Sequence, residues 1–477
     1  MDAVDSVQKL CHRLISSAFQ RCRVSEQLCR LSVALNGSRL RDPAVTLISI
    51  SDTGVACSLG EFQDLKLQGG LSEKLDGMLS VRTTGICDEE ISNHQLNLME
   101  GNSAHRLNRL PSISKNGMRF SGTDVCLTVV EKSEVIVDEI SRFFQKMLIL
   151  NIPSIGFELL VHHEDASGPH YERVFLPNEW NALPFSASNL ERLKCGFEDY
   201  LLKQRNCVTG NCDSRSTTLE HLKSGTGTED SSESSKISGL VMEAVITISE
   251  FSDQMSPYLM ECGPRTEVLY FKDFSPSPVS KSSLSGLLKI DWKSYGLKLG
   301  GIVDQGSCLF LEWENLPQHV GIDVVFHCYQ KKNSYPLVRQ KSYSNQALLK
   351  KAAKLALDDL KEKHRGFLLS DHALKIRSYA PDLAKTLAGL ILSSKDLEFQ
   401  EECLSLLGLP TEEVGYKKVE ECIKDKIVSV IEQNDRNPER CKDAVPTLFE
   451  YECPPKVDLE EEHEEGDDSS DTFSLLR

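Results

Sequence analysis

The stretch Val45 to Gly60, VTLISISDTGVACSLG, decides how the first part of the chain folds. Its first half is β-branched and mostly apolar, which is typical of a buried or half-buried strand. Small turn-forming residues then follow at Ser51-Asp52-Thr53-Gly54. A carboxylate at a strand end can accept a hydrogen bond from a purine amino group, and a glycine two residues later lets a base approach the backbone. The same residues also suit an ordinary Asx turn, so their neighbours must decide between the two interpretations.

The composition indicates a globular intracellular protein. A chain of 477 residues is expected to hold about two to three domains. No apolar run approaches the roughly 18 residues that a membrane span needs, and the N-terminus has early acids and no signal-type core. The 16 cysteines are scattered without a CxxC pair, so we interpret them as thiols in a reducing compartment. The net charge of -17 argues against an autonomous DNA-binding protein, because phosphate contacts need clustered Lys and Arg.

The segment before Val45 supplies the context for the DTG corner. Ser6 to Arg23 has apolar residues at helical spacing, and Leu31 to Leu35 alternates like a strand before an Asn36-Gly37 turn. This order of helix, strand, turn, strand and DTG resembles the nucleotide-binding domain shared by gyrase B, Hsp90, histidine kinases, MutL and topoisomerase VIB. The resemblance implies a GHKL (Bergerat) ATPase-like α/β sandwich over residues 1–205. It also implies a nucleotide pocket, now vestigial, at four residues: Asp52, Gly54, Gly122 and Thr123.

The chain departs from this family where ATP chemistry needs particular groups. The family's first helix carries a glutamate base and a magnesium-binding asparagine, whereas Ser6 to Ser25 has no Asp, Glu or Asn. His12 has the lone pair of a base, but a lone helical histidine is usually structural. Ala56 replaces a motif glycine, and no GxxGxG lid lies between Leu65 and Met118. We therefore expect no catalytic residue, no metal and no cofactor. Binding of ATP with Mg²⁺ without hydrolysis is the alternative.

The rest of the first region predicts further helices and strands. We expect a helix over Val135 to Leu150, strands over Phe157 to His162 and Tyr171 to Leu176, and a helix over Asn189 to Lys203. His162-His163-Glu164-Asp165 has metal-binding residue types, but adjacent strand side chains point to opposite faces. We interpret that segment as a solvated loop. Residues 206–237 contain SGTGTEDSSESSK, which predicts a flexible linker.

Residues 238–366 predict a second, layered α+β domain. Strands are expected at Leu240 to Ser249, at Val268 to Phe271 and in three segments between Leu287 and Gln330, before a helix from Asn345 to His364. Trp292-Lys293-Ser294-Tyr295-Gly296 resembles the WxxYG pattern of the transducer domain in topoisomerase VIB and its meiotic relatives. The resemblance suggests interaction roles for Trp292, Tyr295 and Gly296. A core Trp and Tyr at a strand bend is the alternative interpretation.

The degenerate nucleotide-binding motifs and the WxxYG pattern together make residues 6 to 435 resemble the meiotic topoisomerase VIB-like family, in its plant branch. Residues 367–436 predict helices broken near Pro381 and Gly408, and the acidic residues 437–477 predict a disordered tail. The resemblance places a partner-docking surface on residues 345–435. Its apolar stripe includes Leu383, Leu387 and Leu390, while the basic residues between Lys350 and Arg365 suit a solvated helix face.

The resemblance implies a non-catalytic nuclear subunit, not an enzyme by itself. It would assemble and bridge A-type tyrosine transesterase subunits. This subunit would be required to form the DNA double-strand breaks that initiate meiotic recombination. The implied partners are these A-type subunits, DNA through the complex and other break-formation accessory proteins, with no membrane. Two alternatives belong to other classes. One is an active ATP-dependent DNA clamp, and the other is a meiotic scaffold for spindle or chromosome-axis organisation.

Overall fold

The computed structural model divides into two compact units, Met1–Ser378 and Tyr379–Arg477. It describes residues 4–25, 27–38, 44–63, 65, 75–100, 107–165, 168–176, 183–208, 222–231, 239–250, 265–306, 308–314, 316, 320–331, 343–364, 366, 368–410 and 415–435. The predicted tail, 437–477, and most of the predicted linker lie outside the described residues. No helix among these residues is long and apolar enough to cross a bilayer.

The first layer is an eight-stranded mixed sheet. Its strands are β1 (Cys29–Ser38), β2 (Val45–Asp52), β3 (Leu75–Thr84), β4 (Glu90–Asn97), β5 (Leu107–Ser114), β6 (Gly122–Val129), β7 (Ile155–Asp165) and β8 (Gly168–Leu176). The strand order is β5-β4-β3-β6-β2-β1-β7-β8. Only β1 and β7, among these neighbours, pair in parallel. Alternate residues of β2 and β6 are buried, as expected when one face of a sheet packs on helices.

A layer of helices covers the buried face of this sheet. It consists of α1 (Val7–Val24), α3 (Ser133–Leu148) and α4 (Asn189–Val208), while the short α2 (Gly60–Gln63) follows the DTG corner. The Ser6 hydroxyl caps α1 by accepting a hydrogen bond from the Lys9 backbone N–H. The apolar stripe predicted for α1 is buried in the main core, which confirms the amphipathic pattern.

The second layer is a seven-stranded sheet with two helices. Its elements are β9 (Leu222–Asp230), β10 (Leu240–Glu250), β11 (Arg265–Lys272), β12 (Ser275–Pro276), α5 (Lys281–Leu284), β13 (Leu299–Asp304), β14 (Leu309–Trp313), β15 (Val320–Gln330) and α6 (Tyr343–Lys363). The strand order is β13-β14-β11-β15-β10-β9, and β12 pairs with β11. Alternate residues of β10 enter different cores: Val245 packs with the first-layer helices, while Ala244 and Ile246 pack with α6. The helices α1, α3 and α4 are thus enclosed between two sheets.

The second unit is helical and has a small core of its own. It contains most of helix α7 (Asp371–Ser393), together with α8 (Leu397–Leu407) and α9 (Tyr416–Asn434). Its buried residues are Ala384, Ala388, Leu404, Val419 and Ile423. The predicted fold class is confirmed: α+β, an α/β sandwich followed by a second α+β layer and C-terminal helices.

Two predicted irregular segments are strands instead. Residues 222–230 form strand β9 and are not linker, because pairing with β10 outweighs their weak strand propensity. His162 to Asp165 belongs to β7, where pairing with β8 extends the hairpin beyond the predicted loop. Both corrections have the same cause, since backbone pairing with a neighbour fixes a strand that its own side chains do not indicate.

Two helical segments also differ from the prediction. The segment around Trp292 forms 3-10 helices, Leu287–Lys289 and Trp292–Tyr295, and not a strand. Helix α7 continues through Pro381, although proline has no backbone N–H to donate there. The predicted break at Gly408 is confirmed, with the glycine in the left-handed conformation that ends α8 (φ 74°).

Candidate functional site

The DTG corner lies at the end of β2, against the last turn of α1. Asp52 is 4% exposed, and its Oδ2 accepts hydrogen bonds from Arg21 Nε at 3.0 Å and from Arg21 Nη2 at 2.7 Å. Its other oxygen, Oδ1, accepts from the Gly54 backbone N–H at 3.0 Å. The carboxylate predicted to receive a purine amino group is therefore already bonded by an arginine of the same chain.

Arg21 also reaches a second carboxylate. Its Nη1 lies 2.7 Å from Glu61 Oε2 on the short helix α2. The Glu61 side chain is 31% exposed, whereas Arg21 is 4% exposed. One guanidinium thus joins α1, the end of β2 and α2, using three of its donors in the fixed fork that arginine provides.

The ionisation of this pair follows from burial and contact. Burial raises the pKa of Asp52 above its ordinary value, although Arg21 and the Gly54 N–H oppose the rise. Burial lowers the pKa of Arg21, but the adjacent carboxylates of Asp52 and Glu61 outweigh this, and the net shift is upward. Arg21 therefore carries its charge throughout the physiological pH range.

Gly54 and Gly122 serve close approaches within the protein. A Cβ on Gly54 would lie 2.5 Å from the Arg21 carbonyl carbon, so this glycine lets the corner pack on the backbone of α1. A Cβ on Gly122 would lie 2.3 Å from the Asp52 carbonyl oxygen, and its φ of 154° also favours glycine. Both glycines lie at the corner, where each one allows the backbone of another segment to approach closely.

Thr123 belongs to the same corner. It pairs with Asp52 across β6 and β2, and its hydroxyl lies 3.0 Å from the Thr83 hydroxyl on β3. The Thr83 hydroxyl in turn accepts from the Cys57 backbone N–H at 3.0 Å. The structure therefore brings together the four residues predicted from the sequence. It also connects Thr123 to β3, the first of three strands in the interval where a phosphate-binding lid would lie.

His12 takes the structural role that its position on the helix suggested. Its ring stacks on Phe143 of α3, with centroids 4.1 Å apart and planes 8° from parallel. Burial lowers its pKa below the ordinary value. Its Nε2 atom has no hydrogen-bond partner among the described residues. Among those residues, too, no three His, Cys, Asp or Glu side chains are placed to hold a metal ion.

Trp292, Tyr295 and Gly296, predicted as interaction residues, are packed inside the first unit. The Trp292 ring meets Trp313 edge to face at 5.0 Å and donates from Nε1 to the Leu287 carbonyl at 2.8 Å. The Tyr295 hydroxyl donates to Asp358 Oδ1 on α6 at 2.6 Å. Both aromatic residues are at most 6% exposed. Both rings thus pack in the core, as in the alternative interpretation of the WxxYG pattern, and a role in partner contact stays a prediction.

The backbone conformation and close packing of Gly296 explain why the WxxYG pattern ends in glycine. Its φ is 68°, and a Cβ there would lie 2.3 Å from the Leu369 carbonyl oxygen. With Tyr295 it also borders a shallow apolar depression beside Trp313 and Leu368. The glycine therefore ends the 3-10 turn and admits the chain that leads to α7.

The leucine stripe of α7 divides between two faces. Leu383 is 49% and Leu390 is 61% exposed, whereas Leu387 packs against the core of the second unit. Tyr379, four residues before Leu383, is 60% exposed. This side of α7 thus presents large apolar groups to solvent.

The residue that sequence reasoning missed is Arg21. Its position in the last turn of a helix, two residues before Arg23, is typical of cations that favour the carbonyl end of the helix dipole. The signal that indicates its role is the combination of a buried corner aspartate with a first helix that has no acidic residue.

Two sequence models of one family match successive parts of the chain. The MTOPVIB middle domain matches residues 190–364, and the meiotic topoisomerase VIB-like C-terminal domain matches residues 372–436. Together they cover about half of the 477 residues. No curated protein matches the chain by sequence.

Solved structures with similarity include ATPase regions of type II topoisomerases. The 43K ATPase domain of Thermus thermophilus gyrase B has 11% identity and a TM-score of 0.36, covering 75% of this chain and 85% of that one. The ATPase region of Saccharomyces cerevisiae topoisomerase II has 10% identity and a TM-score of 0.33, covering 74% and 85%. The family assignment rests on the two sequence models: the chain belongs to the meiotic topoisomerase VIB-like family.

Proposed function

We propose that this chain is the non-catalytic B-like subunit of a topoisomerase VI-like complex that forms the double-strand breaks of meiotic recombination. It acts in the nucleus, where it assembles and bridges A-type tyrosine transesterase subunits that supply the nucleophile. Its own contribution is geometric, since it positions the A-type subunits on DNA. The observation that carries the proposal is the match of the middle and C-terminal parts to one meiotic family.

The state of the DTG corner supports a role without catalysis. ATP hydrolysis needs a base near the attacking water and oxygen ligands for magnesium. Helix α1 carries no Asp, Glu or Asn, and the nearest candidate, His12, is stacked on Phe143. The second layer, which we propose as a transducer domain, is packed directly on the first-layer helices.

The exposed side of α7 supports a protein partner. Leu383 and Leu390 are seven residues apart, so they lie on the same side of the helix, and Tyr379 extends the row by one turn. A different side of the helix is formed by Ala380, Ala384 and Ala388, which are at most 1% exposed. Burying two leucines is worth about 1.5–3 kcal/mol for each side chain. We place the A-type contact here.

Co-purification of the full chain with candidate A-type subunits tests the proposal. We expect the wild-type chain to form a stable complex and the L383E/L390E variant to lose it, because two charges would be buried in an apolar contact. The matched control is I113E/M118E, whose parent residues are 49% and 63% exposed in the first layer. It should co-purify like the wild type.

Crosslinking followed by mass spectrometry should then place the A-type subunit on α7. Wild-type chain that co-purifies with no A-type subunit would contradict the proposed function and favour the scaffold. Equal complex formation by L383E/L390E and wild type would retain the function but reject α7 as the contact.

A further inference from the structure

We propose that Arg21 is an internal ligand of the DTG corner: its guanidinium occupies the hydrogen-bonding position that a purine amino group would need, so the corner excludes nucleotides. This inference concerns the chain's own first layer and is independent of any A-type partner. ATP with Mg²⁺ is the cofactor that the fold family implies, and the residues of this corner do not fit it.

The first step is that the Asp52 carboxylate already accepts three hydrogen bonds from its own chain. Asp52 Oδ2 accepts two N–H groups from Arg21, at 3.0 and 2.7 Å, and Oδ1 accepts the Gly54 N–H at 3.0 Å. The Asp52 side chain has no exposed area. An amino group of a base has no open approach to these oxygens. It would have to displace charge-assisted hydrogen bonds, which are about twice as strong as neutral ones.

The second step is that Arg21 is held in place. The Val55 backbone N–H donates to the Arg21 carbonyl at 3.3 Å, and Gly54 packs so closely on this turn that a Cβ would overlap it. Glu61 holds the third donor at 2.7 Å. Moving the guanidinium out of the corner would leave Asp52 ionised and unpaired in a buried site, which costs several kcal/mol.

The third step is that helix α1 lacks the groups that a bound nucleotide and its metal would need. A bound triphosphate needs a glycine-rich turn of backbone N–H groups and hard oxygen ligands for magnesium. The described part of the interval Leu65 to Met118 consists mainly of strands β3 to β5. Helix α1 offers none of the Asp, Glu or Asn side chains that would hold the metal.

Chemical rescue of the full-length R21A variant tests the internal-ligand role. Removing the side chain leaves a cavity beside Asp52, and a small guanidinium compound there would restore the charge-assisted hydrogen bonds that the carboxylate has lost. Methylguanidinium, at concentrations well below denaturing ones, should raise the Tm of R21A in a saturable way. It should leave the wild type and the R21A/D52N double variant unchanged. R82A is the matched control, because its guanidinium pairs with Asp124 where the arginine side chain is 50% exposed.

A titration of the wild-type chain completes the test. Calorimetry with adenosine and with ATP plus Mg²⁺ should give no saturable binding up to millimolar concentration. Saturable binding of either compound by the wild type would overturn the proposal, as would equal rescue of R82A and R21A. If R21A does not fold, the R21M/D52N variant takes its place, and recovery of that variant as soluble protein would support the proposal. If this variant is insoluble too, the titration of the wild-type chain decides.

Discussion

The Arg21–Asp52 contact is the most deeply buried arginine–carboxylate pair among the described residues, and its two members depend on each other unequally. Asp52 has one cationic partner, whereas Arg21 retains Glu61 when Asp52 is neutralised. We expect R21M to lower the free energy of unfolding by about 3–5 kcal/mol, the usual cost of leaving one buried charge unpaired. D52N should cost less, because its amide oxygen still accepts a bond from Arg21. Urea unfolding followed by circular dichroism measures both.

The double variant R21M/D52N tests whether the cost of R21M comes from the unpaired charge of Asp52. Once both charges are removed, the penalty for the unpaired carboxylate disappears, so the double variant should be more stable than R21M. An R21M/D52N variant no more stable than R21M would mean that Arg21 acts through packing alone and not through Asp52.

Asp124 gives the first layer a pH-dependent contribution. It accepts hydrogen bonds from the Ser49 and Ser51 hydroxyls, each at 2.7 Å, and pairs with Arg82. Burial raises the pKa of Asp124, but the bonds from Ser49, Ser51 and Arg82 outweigh it and lower the pKa below its ordinary 3.8. A carboxyl whose pKa is lowered by folding stabilises the fold above its unfolded pKa. That stability is lost as the pH falls through the folded pKa.

D124N should therefore have a weaker acid dependence than the wild type. Between about pH 5 and pH 3 the wild type should lose more stability than D124N, since the variant has no proton to bind at this position. Urea unfolding at several pH values in this range measures the difference. Parallel pH profiles for the two proteins would contradict the assignment.

Single residues were predictable where local chemistry alone fixes their position. Asp52, Gly122 and Thr123 lie at strand ends that the sequence marks clearly, and the structure joins them at one corner. The role of Arg21 depends on a residue 31 positions away. Periodicity on α1 places Arg21 near the helix end but does not indicate what it contacts. The burial of Trp292 and Tyr295 likewise depends on β14 and α6, which follow later in the chain.

At the scale of elements, the turn between β11 and β12 connects the second sheet with helix α1. Asp273 and Phe274 both have positive φ, 47° and 65°, which is costly for a bulky residue such as Phe. The ring of Phe274 lies 4.2 Å from the Arg23 guanidinium and 4.5 Å from the His327 ring. Packing of this ring between α1 and β15 stabilises the strained turn.

Two substitutions at Phe274 separate strain from packing. F274A should lower the free energy of unfolding by about 3–5 kcal/mol, the usual cost of removing a buried ring. F274G loses the same ring but tolerates positive φ, so it should be more stable than F274A by about 1 kcal/mol. Chemical unfolding of the two variants side by side measures this order. The reverse order would show that the turn is unstrained.

Strand β9 could not be predicted because its stability comes from other elements. Its sequence LKSGTGTED has few residues with strand propensity. Gly225 and Gly227 instead permit α6 to approach: a Cβ on each would lie 2.1 Å and 2.2 Å from carbonyl oxygens of Ala356 and Ala352. The Thr226 backbone N–H also donates to Asp359 on α6 at 2.8 Å. The glycines that suggested a linker are therefore packing residues.

Alanine at Gly227 should be strongly destabilising. The added methyl group overlaps backbone, so α6 must move away from β9, and overpacking of this kind costs about 1–3 kcal/mol or more. The control is G389A inside α7, where nothing lies within 4 Å of the added Cβ. It should stabilise by roughly 0.5–1 kcal/mol, because alanine favours helix over glycine. Thermal unfolding that places G227A at or above the wild type would refute the assigned packing.

At the scale of the whole molecule, the two sheets share one hydrophobic core. Val245, Leu269 and Val325 of the second sheet are buried in the same cluster as Phe19 and Phe144 of the first-layer helices. Lys146 on α3 also pairs with Glu267 on β11 at 2.8 Å. Composition shifts along the sequence predicted separate domains with a linker. The shared core arises from contacts between distant segments, which such shifts do not reveal.

We therefore expect residues of both sheets to unfold together in the full chain. Hydrogen exchange followed by mass spectrometry should give amides of β2 and β10 the same free energy of opening, because exposing one side of a shared core removes the packing of the other. F274A should lower protection in both strands equally. L404A, which truncates a buried side chain in the core of the helical second unit, should lower protection in α8 and α9 but leave β2 and β10 unchanged. Protection lost in β10 well before β2 would mean that the second sheet opens independently, as a linker-joined domain would.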